Sequence, residues 1–207
     1  MIIDPSTLGH QERYKLLNGS VIPRPIAFVS TLSAKGERNL APFSFFNVVC
    51  ADPMVISFSV MRRGNTSQKK DTLLNIEETG EFVVNVVTEE IAERMNRTSA
   101  DFPRGVDEFE HGPFTPVPSE LVKPARVAES PINMECRLLQ LVDMGDRPGS
   151  GTLVLGEVLR FHIVDELYDR GRIRHDRYHA VGRLAGASYA RTRDTFDLVR
   201  PTLAPST

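Results

Sequence analysis

The sequence has no tryptophan, and only two of its 207 residues are cysteine, Cys50 and Cys136. Both cysteines lie inside apolar runs, which reads as two core thiols in a reducing compartment rather than a disulfide framework. There is no CxxC, no HExxH and no cluster of His and Cys, so a metal site has no support and none is expected. No stretch approaches the roughly 20 apolar residues that a membrane-spanning helix requires. The opening M-I-I-D-P-S-T-L-G-H has no basic segment followed by an apolar one, so a cytoplasmic protein is expected. A surplus of one charge is also missing. Lys and Arg number 25 against 27 acids, and the resulting −2 argues against nucleic acid or an anionic membrane as a partner. The common nucleotide signatures are absent too. Gly149-Ser150-Gly151 falls between two strands and not before a helix, and neither a P-loop nor a G-x-S-x-G elbow occurs, so a Rossmann nicotinamide domain is disfavoured.

What is present suffices for one domain over residues 1–207, since 41% hydrophobic content at this length can bury a sizeable core. Asp4-Pro5-Ser6 reads as a helix start, with the helix ending near Leu17 before Asn18-Gly19. Ile26 to Leu32 is a strand, residues 34–37 a turn and Arg38 to Ala41 the return of a hairpin. Pro42 interrupts the return, which suits an edge strand or a bulge. Phe43 to Val49 and Met54 to Val60 are two further strands. In the second, Ile56, Phe58 and Val60 alternate with Val55, Ser57 and Ser59. Asp71 reads as the N-cap of a helix that buries Leu73, Leu74 and Ile76 and stops at Thr79-Gly80. Glu81 to Val87 is a strand, and Thr88 caps a short helix. Residues 102–131 hold six prolines and are expected to lack regular structure and to serve as a flap or partner-facing arm. Ile132 to Met144 alternates until a slip at Leu139, which a bulge would explain. Thr152 to Val164 is a long strand with Leu153, Leu155, Leu159, Phe161 and Ile163 on one face and Glu157 as the exception. A tail follows over residues 192–207. The strands come mostly as hairpins, so the fold expected is mainly β with short helices, a closed antiparallel barrel rather than a parallel α/β sheet.

The chemistry concentrates between Asn39 and Asp71. Arg62, Arg63, Lys69 and Lys70 stand in one loop without an acid, and they run into the helix start at Asp71 and Thr72. Free N–H groups, the helix dipole and these cations suit a phosphate, with Ser67 and Thr72 as added donors. The same residues also suit a solvated loop before a capped helix. Ser30 and Thr31, beside Ala41, Pro42, Phe43 and Ser44, leave room at adjacent strand ends for a flat ring, or make an ordinary bulge. His162 stands opposite the apolar set of its strand, where it is solvent-facing, structurally bonded or a contact for a substrate. Arg170 to Arg177, interleaved with Asp169 and Asp176, reads as a solvated surface or a dimer contact.

Several blocks in fixed order resemble the flavin reductase-like family. They are Pro23-Arg24-Pro25-Ile26-Ala27, Val29-Ser30-Thr31, residues 39–47 (N-L-A-P-F-S-F-F-N), Lys70-Asp71-Thr72-Leu73 and residues 81–85 (E-F-V-V-N). Later stretches, among them Gly156-Glu157-Val158 and Val181-Gly182-Arg183-Leu184, resemble its nitrilotriacetate monooxygenase reductase-component subgroup. The resemblance implies an antiparallel Greek-key split β-barrel, the FMN-binding split barrel, as a homodimer with flavin sites at the interface. It implies FMN, with FAD as an alternative, against Ser30, Thr31, Ala41, Pro42, Phe43, Ser44 and Asn47. The phosphate would face the loop of Lys70, Asp71 and Thr72, to which the loop charges read above add Arg62 and Lys69. The implied activity is NAD(P)H-dependent flavin reduction for a partner such as a monooxygenase, with NADH or NADPH as donor, no side chain required as acid or base, and His162 as a contact for the nicotinamide. An FMN enzyme with its own organic substrate and a non-enzymatic flavin module are the alternatives.

Overall fold

The computed structural model describes residues 1–64 and 66–202, so the expected tail lies partly outside the described residues. Asp4 accepts from the Ser6 N–H and starts only a 3-10 turn, Pro5–Thr7; the helix itself, α1 (His10–Ser20), begins after Gly9 and runs past Asn18-Gly19. β1 (Ala27–Leu32) and β2 (Arg38–Phe43) form the first hairpin, and β3 (Phe46–Ala51) with β4 (Met54–Met61) the second. α2 (Asp71–Thr79) leads into β5 (Glu81–Val86), and α3 (Ala92–Arg97) and α4 (Glu108–His111) follow. The short strands β6 (Pro116–Val117) and β7 (Arg126–Val127) precede the long hairpin of β8 (Ile132–Asp143) and β9 (Gly151–Ile163). Two small hairpins follow, β10 (Tyr168–Asp169) with β11 (Arg172–Ile173), and β12 (Val181–Arg183) with β13 (Tyr189–Arg191).

The main sheet has seven antiparallel strands in the order β2-β1-β5-β8-β9-β4-β3. It curls until Phe43, at the end of β2, lies 5.4 Å from Phe58 on β4, and Phe58 lies 5.4 Å from Phe82 on β5. The barrel is the split one that the resemblance implies rather than a closed one: β2 and β3 remain the ends of the sheet order, with the aromatic rings and a hydrogen bond from the Ser59 N–H to the Phe45 carbonyl spanning the gap. Pro42 has no N–H to donate, and an edge is where a sheet tolerates it. Leu73 and Ile76 of α2 plug the interior as expected, and Gly80, at φ 70°, ends that helix. Gly156 lies so close to Phe82 that a Cβ there would stand 2.2 Å from the ring.

Several expectations need correction. Residues 102–131 are packed, not free. Phe109, Phe114 and Val127 form a second apolar cluster with Phe28, Leu40 and Met95. β1 is consequently buried on both faces. The same wrap explains why Asn133 and Glu135, alternating as if toward solvent, are buried. On β9 the inward residues are Val154, Gly156 and Val158, while Leu153, Leu155 and Phe161 look outward, the reverse of a core-facing leucine stripe. Cys136 is in the core, where burial pushes its thiol pKa up, but Cys50 is exposed on β3. Thr88 forms an isolated bridge with Ala180, and the helix begins at Ala92. The slip at Leu139 is a bulge, as expected, and Glu157 pairs with Arg137 at 2.8 Å on the outer face.

Candidate functional site

One groove collects much of the chemistry noted between Asn39 and Asp71. Its floor is the end of β2 and the bend after it, Ala41 to Phe45, with Met61 beside it and Tyr14 of α1 above. α2 enters from one side. Lys70 is its N-cap residue, no side chain caps the helix, and Asp71 is the first helical residue rather than the cap. The turn at residues 98–102 forms the far wall.

Behind the floor lies a buried polar chain. Thr72 donates to Asn39 Oδ1 at 2.6 Å, Asn75 donates to Thr31 Oγ1 at 3.0 Å, and Asn39 Nδ2 donates to Glu108 at 2.8 Å. The Leu40 N–H donates to the other Glu108 oxygen at 3.0 Å. α4 holds Glu108 there because Asp107 caps it, accepting from the Phe109 N–H, and is itself gripped by Arg38 at 2.6 Å. Burial, with Asp71 nearby, raises the Glu108 pKa to about 7, against the hydrogen bonds that favour its charged form. Glu108 was not among the residues singled out from the sequence. The signal available was Asp107-Glu108, a cap followed by an acid, but only the packing of residues 102–131 buries it.

The four loop cations separate. Arg62 is buried and engaged with Asp143 at 3.0 Å and the Gly145 carbonyl at 2.9 Å. Arg63 holds Asp71 at 3.1 Å and the Phe102 carbonyl at 2.7 Å. Lys69 pairs with Glu77 at 2.6 Å and lines a separate hollow with Leu74 and Arg104. Lys70 opens onto the groove floor at Pro42 to Phe45, with Asp101 at 3.6 Å as a loose partner, while Arg63, which also lines the groove, is held by Asp71. Thr72 and Asp71 line the groove as well, while Ser67 is exposed elsewhere.

Other singled-out residues lie apart. Ser30 is fully buried and donates to the Ala125 carbonyl, and Thr31 is buried in the polar chain. Asn47 is exposed on β3, where its side chain accepts from the Val48 N–H at 2.8 Å. His162 Nε2 is 2.5 Å from the buried Glu135 carboxylate, which also accepts the N–H groups of Glu120, Leu121 and Val122 at 2.9, 2.6 and 3.2 Å. Burial works to raise the Glu135 pKa, yet these N–H groups and His162 together hold it below the usual carboxylate value. The residues from Arg170 to Arg177 are surface groups, with Arg174 paired to Asp176 at 2.7 Å. Among the described residues there is no His, Cys, Asp and Glu cluster able to hold a metal, and no helix long and apolar enough to cross a membrane.

An open antiparallel barrel with an apolar shelf at one edge, overlooked by a helix N-terminus and a loosely held lysine, is the architecture of a split-barrel protein. The family model for the flavin reductase like domain matches residues 19–182, and the chain belongs to that family. The structure superposes on nitrilotriacetate monooxygenase component B from Bacillus cereus with a TM-score of 0.90, at 40% identity over 96% of this chain and 98% of that one. It superposes on 2-nitrobenzoate 2-nitroreductase of Pseudomonas fluorescens with a TM-score of 0.88, at 38% identity over 100% of this chain and 99% of the other. A Shewanella frigidimarina protein with a split barrel domain shares the fold at 21% identity, with a TM-score of 0.78 over 96% of each chain.

Proposed function

We propose that the chain is an FMN-dependent oxidoreductase, an NAD(P)H:flavin oxidoreductase that passes electrons or reduced flavin to a partner such as a monooxygenase. The observation that carries this reading is Lys70, whose amine is loosely paired at an uncapped helix N-terminus and faces the shelf of Pro42 to Phe45. A flat ring fits the shelf, and an anionic tail fits the lysine and the free N–H groups of α2. When bound, the flavin supplies hydride acceptance from NADH or NADPH. The protein supplies the rest. Ala41 to Ser44 seat the ring and ribityl chain, Lys70 and Thr72 hold the phosphate end, and Phe43 and Tyr14 keep water away from the shelf. The buried polar chain fixes α2 against β2, so the two halves of the seat keep their spacing.

The same reading includes a homodimer. β3 exposes Val48 and Val49 at 69% and 52%, and Phe161 on β9 is 45% exposed. A second copy covering the β3 edge and the outer end of β9 would bring Asn47 into an interface and toward a flavin. A second reading, an FMN enzyme with its own organic substrate, is favoured by the full-length likeness to the nitroreductase. The absorbance spectrum of desalted protein before and after anaerobic NADH separates these. NADH oxidation that depends on added flavin supports the reductase. A yellow protein that keeps its flavin and turns over only with an organic acceptor supports the second reading, and no flavin binding at all defeats both.

A further inference from the structure

Beyond Lys70 the groove widens into a cavity of about 610 Å3 between α1, Arg24 and the loop joining β12 to β13. Its wall is electrically one-sided. Lys15, Arg24, Arg62, Lys70 and Arg183 line it, against the single carboxylate of Asp101. Arg62 is neutralised by Asp143, and Asp101 belongs to Lys70. Arg24 and Arg183 have no carboxylate partner among the described residues. Arg24 donates to the carbonyls of Asn18, Val21 and Leu184 at 2.8, 2.5 and 3.0 Å, and Arg183 donates to the Gly186 carbonyl while its guanidinium lies 4.5 Å from the Tyr189 ring. Carbonyls satisfy N–H groups but leave the net charge standing.

The two arginines are also neighbours by construction, because their backbones exchange hydrogen bonds of 3.0 and 2.7 Å. Burial and the nearby Arg183 both disfavour the charged form of Arg24. Arg24 and Asn18 are 6% and 5% exposed, and among the described residues Arg24 Nε and Asn18 Oδ1 have no hydrogen-bond partner. Two arginines on paired backbone positions in one wall, one of them buried and neither with a carboxylate partner among the described residues, leave positive charge facing the cavity. Tyr14, Met61 and Leu184 add an apolar surface beside the charge.

We propose that this cavity receives the anionic group, a carboxylate or a phosphate, of a second small molecule whose ring meets the flavin on the adjoining shelf. The proposal rests on the flavin reading above. It deepens that reading by assigning Arg183 and Lys15 to the second ligand and leaving the flavin phosphate to Lys70.

Calorimetric titration of the full chain tests it, with FMN first and then, separately on flavin-loaded and flavin-free protein, benzoate, neutral benzamide and inorganic pyrophosphate. Benzoate or pyrophosphate is expected to bind, benzamide more weakly, and the Lys15→Gln/Arg183→Gln double variant should lose at least about tenfold in anion affinity, as for one charge-assisted hydrogen bond. FMN affinity should stay within about threefold, well under the factor of ten that 1.4 kcal/mol represents. Arg183→Lys should recover part of the lost anion affinity, which a merely unfolded variant would not do. Benzoate binding without pyrophosphate marks an organic acid as the source of the anion, and the reverse marks a phosphate. The proposal is overturned if neither anion binds, if benzamide matches benzoate, or if the variant binds as wild type does. It is also overturned if the double variant weakens FMN but not riboflavin, since the cavity would then be the flavin phosphate seat. Failure of wild type to bind FMN would defeat the flavin reading alone, because the flavin-free titrations still decide whether the cavity takes an anion.

Discussion

The two edges of the seven-stranded sheet treat side chains in opposite ways. At β2, polar groups are buried and satisfied within one chain: Asn39, Thr72, Thr31, Asn75 and Glu108 hydrogen-bond in a row behind the groove. At β3 and the start of β4, apolar groups face solvent: Val48, Val49 and Met54 are all more than half exposed. A buried polar atom is tolerated where partners are supplied, and an apolar strip suits a surface that a second copy would cover, as in the proposed dimer. One edge is thus complete in the single chain, and the other is the edge that the proposed dimer would cover. The groove, built on the complete edge, can be preorganised before any ligand or partner arrives.

Disrupting the edge at β3 should have the largest effect. Val48→Asp together with Phe161→Asp is expected to raise the dissociation constant of the proposed dimer by more than about a hundredfold, near 3 kcal/mol, by sedimentation across a concentration series. A dimer of unchanged stability would show that β3 and β9 are not the interface. Gly156→Ala acts on the barrel that both edges share. A Cβ 2.2 Å from Phe82 should lower unfolding free energy by about 1–3 kcal/mol in urea melts, with no selective effect on ligand binding. Lys70→Ala sharpens the account of the complete edge. It should weaken FMN by roughly 1.5–3 kcal/mol, the worth of a hydrogen bond to a charged group, and riboflavin far less. Lys69→Ala, whose target already pairs with Glu77, should change both little. Equal losses for the two lysines would mean that the loop acts only through net charge.

Glu108 offers the most specific test. Its pKa of about 7 lies above the ordinary 4.5, so the folded state holds a proton that the unfolded state releases. Its contribution to stability is therefore undiminished below the ordinary value, is lost as pH rises toward 7 and levels off above that. The slope in that window is at most about 1.4 kcal/mol per pH unit. Thermal melts of Glu108→Gln should show a shallower decline with pH across this window than wild type. An unchanged slope would place the titration elsewhere.

Much of this fold was readable from local pattern. The β1–β2 and β8–β9 hairpins, the bulge after Leu138, the helix ending at Gly80 and the edge position of Pro42 follow from turn chemistry and alternation, which act over a few residues. The site was only half readable. The blocks around residues 39–47 and 70–73 come together in space, so that Ala41 to Ser44 with Lys70, Asp71 and Thr72 line one groove. The loop charges could not be assigned one by one. Arg62, Arg63 and Lys69 are held by Asp143, Asp71 and Glu77, and the first of those pairings, across 81 residues, depends on where separate elements meet. His162 likewise found Glu135, 27 residues away, through strand register.

The sequence by itself determined most strands of the main sheet, the helix from Asp71 to Gly80, and that residues 39–73 carry the shelf and the helix start. Those features depend on local backbone preference and on periods of two or 3.6 residues. Tertiary structure alone decided which of two alternating faces is the core on β9, that a proline-rich stretch packs over β1, and which lysine stays available at the groove. Each of those outcomes depends on which surfaces come together when the sheet curls, and on the pairing of charges brought close only then.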